Sequence, residues 1–263
     1  MKKLNNLSES DFLKLLFGFF TLAFLVAAPM MPDRSNMLSG LWQIVSQPSK
    51  ISTNYFAVGG YAATFLNMGL VALFCLALYV LFGAVANNVS TLAFLLTLGF
   101  TSWGINVLNM WPSVLGVVLY SLVKREKCSA NVNAMLFSTG IAPLITELMV
   151  RYPYAEAVGF RVSGVALAIF VGLAIGFFLP AGLAHAPKVH KGYDLYNAAV
   201  PVGMTAFFLQ AVLYKSMGVA LPAAPAAETL TVASRATANT FCLIVFGVLV
   251  LIALAMGCTP KDY

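Results

Sequence analysis

What most limits this chain is a series of long apolar stretches, charged only at Lys14 and Glu147, that recurs along nearly its whole length, at positions 13–31, 62–84, 90–105, 112–123, 134–150, 164–183, 200–214 and 236–256. A helix of roughly 20 apolar residues matches the ~30 Å hydrocarbon core of a bilayer. In that solvent every backbone polar group must find a partner within the protein, and segments of this length can do so only as helices. Composition agrees, because 60% of the residues are hydrophobic and 9% charged, against roughly 45–50% and 25% in a soluble domain. The sequence therefore predicts an all-α, polytopic integral membrane protein of about 6–8 transmembrane helices. Its partner by composition is the lipid bilayer, and residues 1–263 are expected to form a single transmembrane domain.

The net charge of +6 does not predict nucleic-acid binding, because the Lys and Arg residues are dispersed between apolar segments and are not gathered on one face with stacking aromatics. They read as topological signals. With a cytoplasmic N-terminus, Lys2, Lys3, Lys124, Arg125, Lys127, Lys188, Lys191 and Lys261 fall inside, and Arg34, Lys50, Arg151, Arg161, Lys215 and Arg235 fall outside. Both termini are then expected to be cytoplasmic. Glu9 and Asp11, with an apolar run that continues to Met31, favour a retained first span over a cleaved leader. Cys75, Cys128, Cys242 and Cys258 show no metal-ligand spacing, and neither a metal nor a cofactor is predicted. The HExxH, GxSxG, Walker and dinucleotide fingerprints of common enzymes are absent.

Two segments are short for spans. The connection from Asn106 to Pro112 carries no charge, so the chain is expected to turn inside the membrane, with two half-helices meeting at depth. Pro112 removes a helical donor and Asn109 can cap freed amides. The alternative is a short interfacial hairpin with Trp111 in the aromatic belt.

Residues 54–67 align without gaps to residues 197–210, pairing Asn54 with Asn197, Gly60 with Gly203, Ala63 with Ala206, Phe65 with Phe208 and Leu66 with Leu209. Under the topology above the two copies enter from opposite sides, which makes an inverted repeat with halves 1–150 and 151–263, a recurring plan of transporters. The second half then stops early, so the sequence reads as a fragment or as a shortened form completed by a second chain, with a homo-oligomer as the expected partner arrangement.

Tyr55-Phe56-Ala57-Val58-Gly59-Gly60 with Phe65 to Leu70, Gly104-Ile105-Asn106 with Asn109, and His185 with the stretch from His190 to Asn197 together resemble the uncharacterised bacterial membrane proteins grouped as domain-of-unknown-function family 1576. The resemblance runs from about Ile44 to Leu213. It implies a multi-pass protein of the bacterial inner membrane and supplies neither substrate nor reaction.

The residues expected to line a substrate path are Asn54, Gly59, Gly60, Asn67, Asn106, Asn109, Asn197, Pro201 and Gly203. Glycines let a helix unwind, Pro201 frees a carbonyl, and asparagines both donate and accept. The leading expectation is a transporter or channel-like permease for a small neutral or weakly anionic solute. A second is an intramembrane enzyme or proton relay built on His185, His190 and Asp194, although Pro187 and the i, i+5 spacing suit a cytoplasmic loop better than a helical site. A third is a non-catalytic subunit of a membrane complex. Glu147 and Arg151 are expected to pair at i, i+4 at the outer interface. No ionised residue is expected at central depth, which argues against a carboxylate proton pump.

Overall fold

Ser8 starts the first helix by accepting from the Asp11 N–H at 3.2 Å, and Glu9 and Asp11 lie in the turn where the helix dipole favours negative charge. This α1, Glu9–Met30, buries Leu13, Phe17 and Phe20, while Leu15, Phe19, Leu22, Val26 and Met30 recur at helical spacing on an exposed face. A helix that is apolar on both its buried and its exposed face suits protein on one side and lipid on the other.

The computed structural model describes residues 7–48, 53–193, 198–221 and 235–255, and all the regular structure in them is helical. Four stretches are long and apolar enough to cross a membrane: α1, then α3 (Tyr55–Leu81), then Cys128–Val150, then α8 (Val162–His190). Cys128–Val150 contains α6 (Val132–Ser138) and α7 (Ala142–Val150), joined through a 3-10 turn. The shorter helices are α2 (Met37–Ser46), α4 (Asn88–Phe100), α5 (Trp111–Lys124) and α9 (Ala199–Gln210), and α9 runs into one π turn, Ala211–Ser216. All of these belong to one compact unit, Met1–Pro225. A second unit, Ala226–Tyr263, contains α10 (Arg235–Ala255), which carries no charge after Arg235.

Each predicted apolar segment is helical, but two features differ from expectation. One is α2, too short and too polar at its edges to stand out. The other is the length of α8, which continues through Pro180 and Pro187, so His185 and His190 lie on its last turns and not in a loop. A proline in an apolar helix removes one donor, and neighbouring groups can satisfy the carbonyl it frees. The helix stops where Lys191 and Gly192 take left-handed backbone angles, with φ of 50° and 97°.

Helices α1 and α3 run antiparallel, as the ring contacts Phe17 to Tyr79 and Phe24 to Phe65 define. At what is called here the near end, the start of α1, the end of α3 and the start of α6 converge. There the Ala86 N–H donates to Ser10 Oγ at 2.9 Å, and Tyr79 Oη donates to Asn133 Oδ1 at 2.6 Å. A pocket of about 540 Å³ opens among them, lined by Tyr79, Asn87, Lys127 and Asn133. Because both the 82–87 and 125–131 links border this end, α4 and α5 form a hairpin that leaves it and returns to it. Helix α8 seats the hairpin. Gly172 meets Pro112, and Gly176 meets Ser113 and Gly116 so closely that a methyl group on either glycine of the 116–176 pair would strike backbone. Parallel α5 and α8 therefore approach at backbone distance, a packing mode open only to the smallest residues.

Candidate functional site at the hairpin tip

With 13 and 14 residues, α4 and α5 reach only about 20 Å. Each is shorter than a ~30 Å hydrocarbon core, and their connection, 101–110, is level with Asn67 of α3, roughly 20 Å along that helix from Leu81. Irregular backbone that is packed among apolar helices must have its donors and acceptors met by protein or by a water-lined cavity. Three fully buried asparagines meet several of them here, beside backbone partners.

Asn67 Nδ2 donates to the carbonyls of Thr101 at 2.8 Å and Ile105 at 2.9 Å, and its Oδ1 accepts from the Val107 N–H at 3.1 Å. Asn106 Oδ1 accepts from the N–H groups of Leu108 and Asn109, both at 2.9 Å. Asn109 Oδ1 accepts from the Asn106 N–H at 2.8 Å, so the two side chains cap each other's backbone. Asn109 Nδ2 then reaches the Gly104 carbonyl at 2.8 Å and Thr146 Oγ1 on α7 at 2.9 Å. From the other side Asn106 Nδ2 donates to Tyr55 Oη at 3.2 Å, and the Tyr55 N–H donates to the Ser102 carbonyl at 3.0 Å. The tip is thereby tied to α3 at two places and to α7 at one.

Asn54 caps α3, its Oδ1 accepting from the Phe56 N–H at 3.0 Å. One turn later α3 breaks at Gly60, where φ is 83° and ψ 179°. Gly59 packs against Gly40 and Ile44 of α2. Asp33, which the sequence reading passed over, accepts from the Ala62 N–H at 3.1 Å and so caps the helix beyond the break. An aspartate between two apolar stretches gives no signal by itself; the position it would cap lies 29 residues further on. The structure thus brings together Tyr55, Asn67, Asn106 and Asn109, with Asn54 and Gly60 on the same helix as Asn67.

The counterparts from the second repeat copy lie elsewhere. Pro201 is buried in the first turns of α9 against Gly182, and Gly203 is exposed within a regular helix. Gly203 has no left-handed angle, unlike Gly60. His185 is exposed on α8, and His190 Nδ1 accepts from the Gly192 N–H at 3.1 Å. Asn197 and Asp194 lie outside the described residues.

Four long helices with apolar outer faces, packed around a buried polar chain break, define an α-helical membrane protein. Within that class the chain belongs to the family described as protein of unknown function (DUF1576), whose model matches residues 33–215. The matched stretch runs from the Asp33 cap through the hairpin and α9. No curated protein and no solved structure matches the chain.

Proposed function

We propose that this protein is a transporter or channel-like permease for a small neutral or weakly anionic solute, and that the solute passes along the hairpin tip. The observation that carries the reading is the buried non-helical connection 101–110, framed by amide side chains and by the break in α3. Chain breaks of this kind are kept inside membranes where backbone groups serve a solute path, and amides can offer a passing solute both donors and acceptors.

The reading includes six to eight passes with α4 and α5 as half-helices, termini on the cytoplasmic side and a place in a bacterial inner membrane. Helices α1 and α3 run opposite in sense to α8 and α9 respectively, which supports the inverted-repeat part of it. Association of two copies as a homo-oligomer belongs to the same proposal.

The test is osmotic swelling of proteoliposomes in a panel of small amides, polyols and monocarboxylates, followed by light scattering. At least one solute should enter faster than through protein-free vesicles, and Asn106→Leu should abolish the difference. A panel in which every solute moves at the protein-free rate sinks the reading.

A further inference from the structure

The buried acid–base pair of this chain is closed on itself: Glu147 and Arg151, both 3% exposed, bond to each other, as their i, i+4 spacing suggests. The opposite holds at the near end. There Glu126 and Lys127 both line the pocket of about 540 Å³, and neither has an ion-pair partner among the described residues. The pocket is of the size that takes small polar groups, since such sites span roughly 300–1,000 Å³.

Local structure holds the carboxylate in place. Helix α5 ends where Arg125 takes a left-handed φ of 57°, and the Glu126 N–H turns back to the Ser121 carbonyl at 2.9 Å, which fixes the backbone of Glu126. Asn131 Nδ2 donates to Glu126 Oε2 at 2.9 Å and to Ser121 Oγ at 3.1 Å, while Glu126 Oε1 has no partner among the described residues. Elsewhere in the lining, Asn133 Oδ1 accepts from Tyr79 Oη and Asn87 Oδ1 accepts from the Ser90 N–H at 3.1 Å. The Nδ2 groups of both asparagines remain without a partner among the described residues. The lining thus offers one anionic acceptor, one ammonium and two amide donors. Val85 of the same lining is exposed, as are Val80 and Leu81 next to Tyr79. Apolar exposure within a turn or two of charge is the composition of a bilayer edge.

We propose that this pocket binds a headgroup that carries an ammonium beside a phosphate, and that its source is a phosphatidylethanolamine of the surrounding membrane. Lys127 and the two asparagine amides donate to the phosphate, and Glu126 Oε1 accepts from the ammonium. A purely anionic headgroup gains Lys127 but meets the Glu126 carboxylate, and like charges repel. A choline headgroup has both charges yet no N–H to give Glu126. The exposed Val80, Leu81 and Val85 give acyl chains an apolar way out of the pocket, which a soluble phosphate ester does not need. Pockets of this kind at the edge of a membrane protein are where lipid headgroups are recognised. The site lies at the other end of α3 from the Gly60 break and stands apart from the permease reading.

Native mass spectrometry of the full chain, released from detergent after titration with phosphatidylethanolamine, phosphatidylglycerol or phosphatidylcholine of identical acyl chains, tests the site. Phosphatidylethanolamine should bind ahead of the other two and saturate at one molecule per chain. Glu126→Gln, which keeps an acceptor for Asn131, should abolish the preference over phosphatidylglycerol. Lys127→Gln should weaken both of these lipids by about fivefold. Lys188→Gln, which removes a cation at the end of α8 outside the pocket, should change neither. The three side chains are exposed, so the fold tolerates each change. A wild type without the preference, or binding that Glu126→Gln or Lys127→Gln leaves as it was, overturns the proposal. Free phosphoethanolamine distinguishes the sources. If it displaces the lipid at equal concentration, the site stands with a soluble occupant and the lipid assignment falls; if it does not, the lipid is the ligand.

Discussion

The carboxylate of Asp33 fills the space that a side chain on Gly60 would need. Its Oδ1 accepts from the Ala62 N–H at 3.1 Å, and its Oδ2 lies where a Gly60 β-carbon would be built. Break and cap are therefore one device. Glycine supplies backbone angles that other residues reach only under strain, and the aspartate satisfies the amide that the break exposes.

Gly60→Ala should accordingly destabilise the protein by about 2 kcal/mol or more, from backbone strain added to collision with Asp33. Gly203→Ala is the contrast, because nothing lies within 4 Å of where its methyl group would stand and its helix is regular. That change should stay within about 0.5 kcal/mol of the wild type. Thermal unfolding of both variants in detergent checks the pair, and equal losses would contradict the assignment of the break.

Asn67→Ala leaves the carbonyls of Thr101 and Ile105 and the N–H of Val107 without their partner. Each orphaned buried group costs about 1–3 kcal/mol, so a loss of about 3 kcal/mol or more is expected. Solvent denaturation measures it. A loss below about 1 kcal/mol would mean that water already reaches the tip.

Much of this architecture is legible in the sequence, and the exceptions have physical causes. The apolar runs show where helices form because lipid exposure forbids charge on their outer faces. The uncharged link from Asn106 to Pro112 likewise falls where the chain leaves helix and buries Asn106 and Asn109. What periodicity cannot show is a contact between distant segments. Asn67 sits in α3 with no hint that it holds a link 34 to 40 residues away. Glu147 reads as interfacial because the π turn that covers it lies 67 residues on, at Tyr214. Helix α2 is hidden by its length, and α8 by prolines that usually end a helix.

Gly176→Leu should separate α5 from α8, since any side chain there meets the Ser113 carbonyl and Gly116. Overpacking of this kind costs about 1–3 kcal/mol. Limited proteolysis should then cut the 125–131 link faster than in the wild type, and an unchanged cleavage rate would argue against the crossing.

Single cysteines, placed in a background in which the native cysteines are serine, report the course of the hairpin. Val85→Cys and Lys127→Cys should react with a membrane-impermeant thiol reagent from one face of the membrane, and Glu156→Cys from the other. Leu108→Cys at the tip should react fully from neither face. Labelling of Leu108→Cys from the Glu156 side would turn α4 and α5 into two complete spans.

The seat of the hairpin also sets an order of assembly. The Gly172 and Gly176 surface that receives α5 belongs to a helix synthesised well after it. When α4 and α5 emerge, the earlier α3 can already hold their joint through Asn67 and Tyr55, while the glycine seat of α5 is still to be made. A stall in translation between α5 and α8 therefore leaves an unfinished protein whose joint is tied on one side and whose α5 lacks its closest packing partner.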